Sequence, residues 1–256
     1  MKTKLIAIGL TLMTTGLFFA GCNDWHTVEG NYDVESETLQ LPDFQRVSNE
    51  GNFDVYIIQD GLSEVTIEAE SNLIPLIRTR VSGQELEIDS KEDLRNNYPM
   101  KIYVHTDEIT DLRLSGSGFI EVLDLTADNV DVDLSGSGYI SMTGTMEDLD
   151  CNISGSGDID LGVTADQINA TISGSGDFEM WGVANSGQFK ISGSGSINAY
   201  ELLLQNCDAT ISGSGDMEVT VEDYLNVNIS GSGSVYYMGS PEVDTKISGS
   251  GNVIHP

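Results

Sequence analysis

Ile172-Ser173-Gly174-Ser175-Gly176-Asp177-Phe178-Glu179-Met180 is the stretch that decides the fold. Its central phrase, Ser-Gly-Ser-Gly, occurs eight times, beginning at Ser115, Ser135, Ser154, Ser173, Ser192, Ser212, Ser230 and Ser248, with spacings of 20, 19, 19, 19, 20, 18 and 18 residues. A period this regular over half a chain points to a solenoid with one repeat per turn.

An apolar residue precedes every copy: Leu114, Leu134, Ile153, Ile172, Ile191, Ile211, Ile229 and Ile247. Apolar residues also follow at two and four positions past most phrases, as in Ile120/Val122, Ile159/Leu161 and Met217/Val219. Upstream, Val130-x-Val132-x-Leu134 and Leu225-x-Val227-x-Ile229 alternate in the same way. Period two marks strands with one buried face. About 19 residues at roughly 3.3 Å each give a coil perimeter near 60 Å, and coils stacked about 4.8 Å apart make a rod of roughly 34 Å over seven intervals. The expected class is all-β, a right-handed parallel β-helix with 18–20 residues per coil, because parallel crossovers wind right-handed. The glycines are expected to face inward at a sharp corner that can require positive φ, and the serines to form outward ladders that fix register.

Together with Phe44-Gln45-Arg46-Val47 and Phe53-Asp54-Val55-Tyr56-Ile57, the phrases give residues 44–254 a resemblance to the putative auto-transporter adhesin, head GIN domain family. That resemblance implies a parallel β-helix on a secreted or cell-surface bacterial protein, and it carries no catalytic motif over to this chain.

At the N-terminus, Lys2 and Lys4 precede an uncharged run, Leu5 to Ala20, which ends in Phe19-Ala20-Gly21-Cys22. Basic start, apolar middle and small residues before a cysteine read as a lipoprotein export signal over 1–21, with palmitate-type acylation at Cys22. An ordinary cleaved signal or a membrane anchor is the alternative, although the run is short for a span. Asn23 rather than Asp directly after Cys22, the first mature residue, favours the outer membrane under the usual sorting rule of Gram-negative cells. Residues 22–42 read as the lipidated N-terminus and its tether, 43–114 as degenerate first coils capping the solenoid, and 115–256 as its regular part. Val47–Val55 and, loosely, Val81–Ile88 repeat the rhythm of the quoted stretch; charged Ser90–Pro99 reads as a loop. A separate small domain over 43–114 is the alternative. Past the last phrase only five residues remain, and an uncovered β edge suggests a homodimer through the solenoid end.

With the signal removed, 9 Lys and Arg face 41 Asp and Glu, a net charge of −32. Nucleic acid is excluded as a partner, since binding it requires a basic surface. No phosphate loop, HExxH or nucleophile elbow occurs, the histidines (His26, His105, His255) are scattered, and no cofactor is expected. Cys151 and Cys207 belong to coils three apart, about 14 Å, too far for a disulfide. Asp158 and Asp177, equivalent in adjacent coils, are the weak candidates for a metal. Paired acids such as Asp131 and Asp133 keep open a carbohydrate-active β-helix enzyme. By the coil spacing Trp181 and Tyr200 are expected at the same place in neighbouring coils and are the candidate ligand contacts, suited to a sugar ring or a partner's apolar side chain. The expectation is a lipid-anchored, non-catalytic envelope module, an adhesin or glycan binder. Its partners would be the membrane, through the lipid, and a glycan or an envelope or surface protein.

Overall fold

The computed structural model describes residues 27–256. Cys22 and the expected export signal lie outside them. Strands make up 66% of the structure, wound into a β-solenoid of about eight turns. A single 3-10 turn at Ile74–Leu76 is the one helical element among the described residues.

In chain order, β1 (Thr27–Glu29) and β2 (Val34–Gln40) precede β3 (Arg46–Asn49) and β4 (Asp54–Gln59). They are followed by β5 (Glu64–Glu70), β6 (Ile77–Ser82), β7 (Glu85–Ser90), β8 (Asp93–Arg95) and β9 (Lys101–Thr106). The regular part begins with β10 (Asp111–Leu114), β11 (Phe119–Thr126) and β12 (Asn129–Leu134). Five long bent strands follow: β13 (Tyr139–Ile153), β14 (Asp158–Ile172), β15 (Phe178–Ile191), β16 (Ile197–Ile211) and β17 (Met217–Ile229). β18 (Val235–Gly239), β19 (Glu242–Ile247) and β20 (Val253–Ile254) finish the stack.

From β10 onward all pairing is parallel, and the residues before the phrases stand in single file from Leu114 to Ile247. The irregular spacings of 18 to 20 residues are absorbed by bulges, one of them between Glu179 and Trp181 and its partners. Inward positions form one continuous apolar core running from Phe44 to Val235. Burying such a row of Ile, Leu, Val and Met side chains, each contributing about 1.5–3 kcal/mol, is the main term holding coil on coil.

The reason for glycine in the phrase differs from the expected one. A Cβ on Gly174 would lie 1.9 Å from the carbonyl oxygen of Gly155, and one on Gly176 1.9 Å from that of Gly157. The backbones of successive coils therefore touch where any side chain would separate them. The second glycine of each phrase is buried but the first is only half-buried, and exposed at Gly249 in the last copy; of the phrase glycines only Gly249 has a positive φ. Nor do serine hydroxyls form the ladder: the one hydroxyl-to-hydroxyl bond among the described residues joins Thr38 and Thr66. Backbone amides do that work, with Ser173 N–H donating to the Ile153 carbonyl (2.8 Å) and Ser175 N–H to the Gly155 carbonyl (3.0 Å), a pattern repeated up the column.

The N-terminal half corrects three expectations. β3 pairs in parallel with both β7 and β10, and β4 with both β9 and β11, so the chain's first coil lies between two coils formed later. Val81–Ile88 is no coil corner. Gly83 (φ 56) and Gln84 (φ 70) make the two-residue loop of the antiparallel β6–β7 hairpin, both in the left-handed region that such a tight turn requires. The proposed tether is strand from Thr27: β1 pairs with β8, inside the segment read as a loop, and β2 pairs antiparallel with β5. Since β5 is antiparallel to β9 in turn, the N-terminal end of the stack is closed by strands of opposite direction.

Candidate functional site

Alternation along β9, β4 and β11 sends Ile102/Val104, Val55/Ile57 and Ile120/Val122 into the core, and so turns Tyr103, Tyr56 and Phe119 outward. Register then sets Tyr103 beside Tyr56 and Phe119 beside Tyr139. The rings form a continuous strip across four coils. Tyr56 and Tyr103 stack at 5.3 Å between centroids, Tyr56 meets Phe119 edge to face at 5.8 Å, and Phe119 stacks on Tyr139 at 5.7 Å.

Beside the strip runs a groove of about 410 Å³ lined by Tyr56, Ile58, Gln59, Tyr103, Glu121 and Leu123. A bulge creates its far wall. The register of β11 on β13 shifts between Val122 and Leu125, and Asp124 takes a φ of 57°, which leaves Leu123 57% exposed at the groove edge. Bulges re-aim side chains in this way. Gln59 pins the opposite wall by donating to the Asp107 and Thr126 carbonyls while accepting from Thr126 N–H.

The electrostatics suit binding. Burial, followed by its hydrogen bond to Asp160, pushes the Tyr139 phenol up to about 12. Burial and the Asp54 carboxylate raise Tyr56 as well. Both hydroxyls are thus neutral at physiological pH. Lys101, raised by Tyr103 and Glu68, stays charged at one end and pairs with Glu68 at 3.5 Å. Outward aromatic edges, an apolar wall and a carboxylate at Glu121 can take a ring with one apolar face and polar edges.

Sequence reasoning passed over this strip. Phe119 and Tyr139 each directly follow a phrase, where later coils have Asp158, Asp177 and Ser196, and that change was the available signal. Tyr56 and Tyr103 could be joined to them only by knowing the interleaved coil order.

The structure separates the expected pair Trp181 and Tyr200. Trp181 pairs with Glu201, and Tyr200 falls in the register shift just before it. The Trp181 indole instead covers Gly162 of the preceding coil, where a Cβ would approach to 2.4 Å. Asp158 and Asp177 have a structural use: Asp158 accepts from Asp177 N–H at 2.9 Å and Asp177 from Ser196 N–H at 2.6 Å. Among the described residues no three His, Cys, Asp or Glu side chains converge to hold a metal. Asp131 lies in a column between Asp111 and Asp150, and burial, then its acidic neighbours, raises it. Arg113 spans toward Asp111 (2.9 Å) and Asp133 (3.8 Å). Cys151 and Cys207 are buried free thiols, raised by burial. No helix among the described residues is long and apolar enough to cross a membrane.

These features define a class: a parallel β-solenoid carrying an aromatic-lined groove on an acidic rod. The family described as putative auto-transporter adhesin, head GIN domain, matches residues 43–180 and 143–241, and the chain belongs to it. No curated protein matches. Among solved structures, a putative lipid binding protein from Parabacteroides distasonis is 26% identical, covering 90% of this chain and 100% of that one, with a TM-score of 0.84. A putative adhesin from the same organism is 27% identical, covering 89% and 99%, with a TM-score of 0.83. A putative adhesin from Parabacteroides merdae, 20% identical over 90% and 99%, shares the fold at a TM-score of 0.84.

Proposed function

We propose that the chain is a non-catalytic envelope lipoprotein of adhesin type, anchored through Cys22 to the outer membrane, whose aromatic groove holds a neutral sugar ring. The observation that carries this reading is the strip of four outward rings on a chain with a formal net charge of −30. Repulsion disfavours anionic glycans, whereas a neutral pyranose can lay its C–H face along the groove, against the outward edges of the stacked Tyr56 and Tyr103 rings. Trp181, exposed beside Val183 and Leu203, is a secondary contact, separate from Tyr200.

A lipid chain is the second reading. It is favoured by the apolar wall of Ile58 and Leu123 and by the name of one structural relative. A glycan array alongside binding to acyl-chain probes separates the two. Glycan binding that falls at least tenfold in Tyr56→Ala and Tyr103→Ala supports the sugar reading. Binding of acyl probes alone, or glycan binding indifferent to both substitutions, overturns it. Turnover of any bound polysaccharide would favour the enzyme alternative that uses the Asp131 and Asp133 surface.

A further inference from the structure

The two ends of the rod differ. At the N-terminal end, antiparallel strands cover the stack, and their charges are paired, as in Arg78 with Asp89 and Arg80 with Glu87. At the other end β20 lies on β18, while on the adjoining face the last rung is β19, lying on β17 with Val243 over Leu225, Thr245 over Val227 and Ile247 over Ile229. The lower rung is fully buried, yet Ile247 is 44% exposed, Thr245 is exposed and Val243 only half-buried. The core is thus open at this face of the described structure, and among the described residues β19 is paired in register with β17 alone, which leaves its other edge of backbone N–H and C=O groups without a partner strand.

We infer that β19 is an interface for a second copy of this chain, joined end to end about a two-fold axis through Thr245. The sequence Glu242-Val243-Asp244-Thr245-Lys246-Ile247 is complementary to itself when reversed. Antiparallel pairing about Thr245 sets Asp244 against Lys246 of the other copy twice, on the outward side. On the inward side it sets Val243 against Ile247 twice and Thr245 against Thr245. Side chains opposite one another in such a pair share a face, so charge meets charge and the two open cores cover each other. Lys246 is one of only two bases from Ser115 onward, against 21 acids, and it stands at the one place where this register needs a cation. A two-fold contact closes on itself, and the antiparallel cover at the far end offers no matching parallel rung for a filament.

The full chain, produced in its native envelope, tests this. Thr245→Cys should give a disulfide-linked dimer on mild oxidation, while Glu242→Cys, far from its own equivalent in this register, should not. In sedimentation of the detergent-extracted protein, wild type should show twice the monomer mass. Lys246→Asp should weaken association at least tenfold, and the swap Asp244→Lys with Lys246→Asp should restore it. A monomer at all concentrations, equal crosslinking at both cysteines, or a swap that fails to restore the dimer in a protein with wild-type circular dichroism would overturn the inference. So would cover of this edge by a different chain or by the protein's own remaining residues.

Discussion

At Gly174 the distance to the coil below is set by a missing atom. The 1.9 Å approach of a hypothetical Cβ to the Gly155 carbonyl oxygen leaves alanine no room unless two backbones move apart. Gly174→Ala should therefore cost about 3 kcal/mol in urea unfolding, at the upper end of overpacking effects. Ser175→Ala, which keeps the N–H that bonds Gly155, should stay within about 0.5 kcal/mol, as surface changes do. The sequence showed that glycine and serine alternate at a corner and that apolar residues precede it. It could not show that the glycines are needed for contact along the stack, because inward bend and close approach both select the same residue. Similarly, the aromatic strip was half visible in Phe119 and Tyr139, while the pairing of Trp181 with Tyr200 failed on one bulge residue: the longer spacing from Ser192 to Ser212 announces an extra residue but not where in the coil it sits.

Among the elements, β5 carries the group that ties the N-terminal strands together. Glu70 is fully buried and accepts from Tyr32 N–H (2.6 Å), Asn97 N–H (2.8 Å) and the Asn97 amide (3.0 Å). Burial alone would raise its carboxyl, but these hydrogen bonds outweigh it and hold the group below its ordinary 4.5. A folded-state value below the unfolded one contributes stability that is present above about pH 4.5 and is lost as pH falls through the lower folded value. Glu70→Gln should accordingly speed hydrogen exchange at Tyr32 and Asn97 near pH 7, with the difference from wild type shrinking toward pH 3. None of this was legible beforehand. The parallel coils announce themselves by period, whereas β1, β2, β5 and β6 are fixed by single long-range pairings that repeat nothing. The Gly83-Gln84 turn was mistaken for a phrase because both contain Ser-Gly.

For the molecule as a whole, stacking is close to one-dimensional, each regular coil touching mainly its neighbours. Deleting Ser173–Ser192 less one residue, the 19-residue unit Ser173–Ile191, should leave a folded β-solenoid one coil shorter. Removing ten residues from the same place should reduce the β signal in circular dichroism well beyond one coil's share, since the half-coil left lacks its Ser-Gly corner and cannot reach round to stack on both neighbours. Charge acts on the same scale. Asp111 and Asp131 lie in one column with Asp150, and both are raised by burial first and by acidic neighbours as well, with Arg113 opposing. Raised carboxyls cost stability as pH climbs above about 3.8, the reverse of Glu70. Added sodium chloride should raise the melting temperature at neutral pH by screening the repulsion among 41 acids set against 11 bases. The interleaving of β3 and β4 has its own consequence for how this protein comes into being. The first coil to leave a ribosome or a translocation pore gains one neighbour when β7 and β9 have followed and the other only when β10 and β11 have, so it is not enclosed on both sides until chain that arrives later has wound beside it.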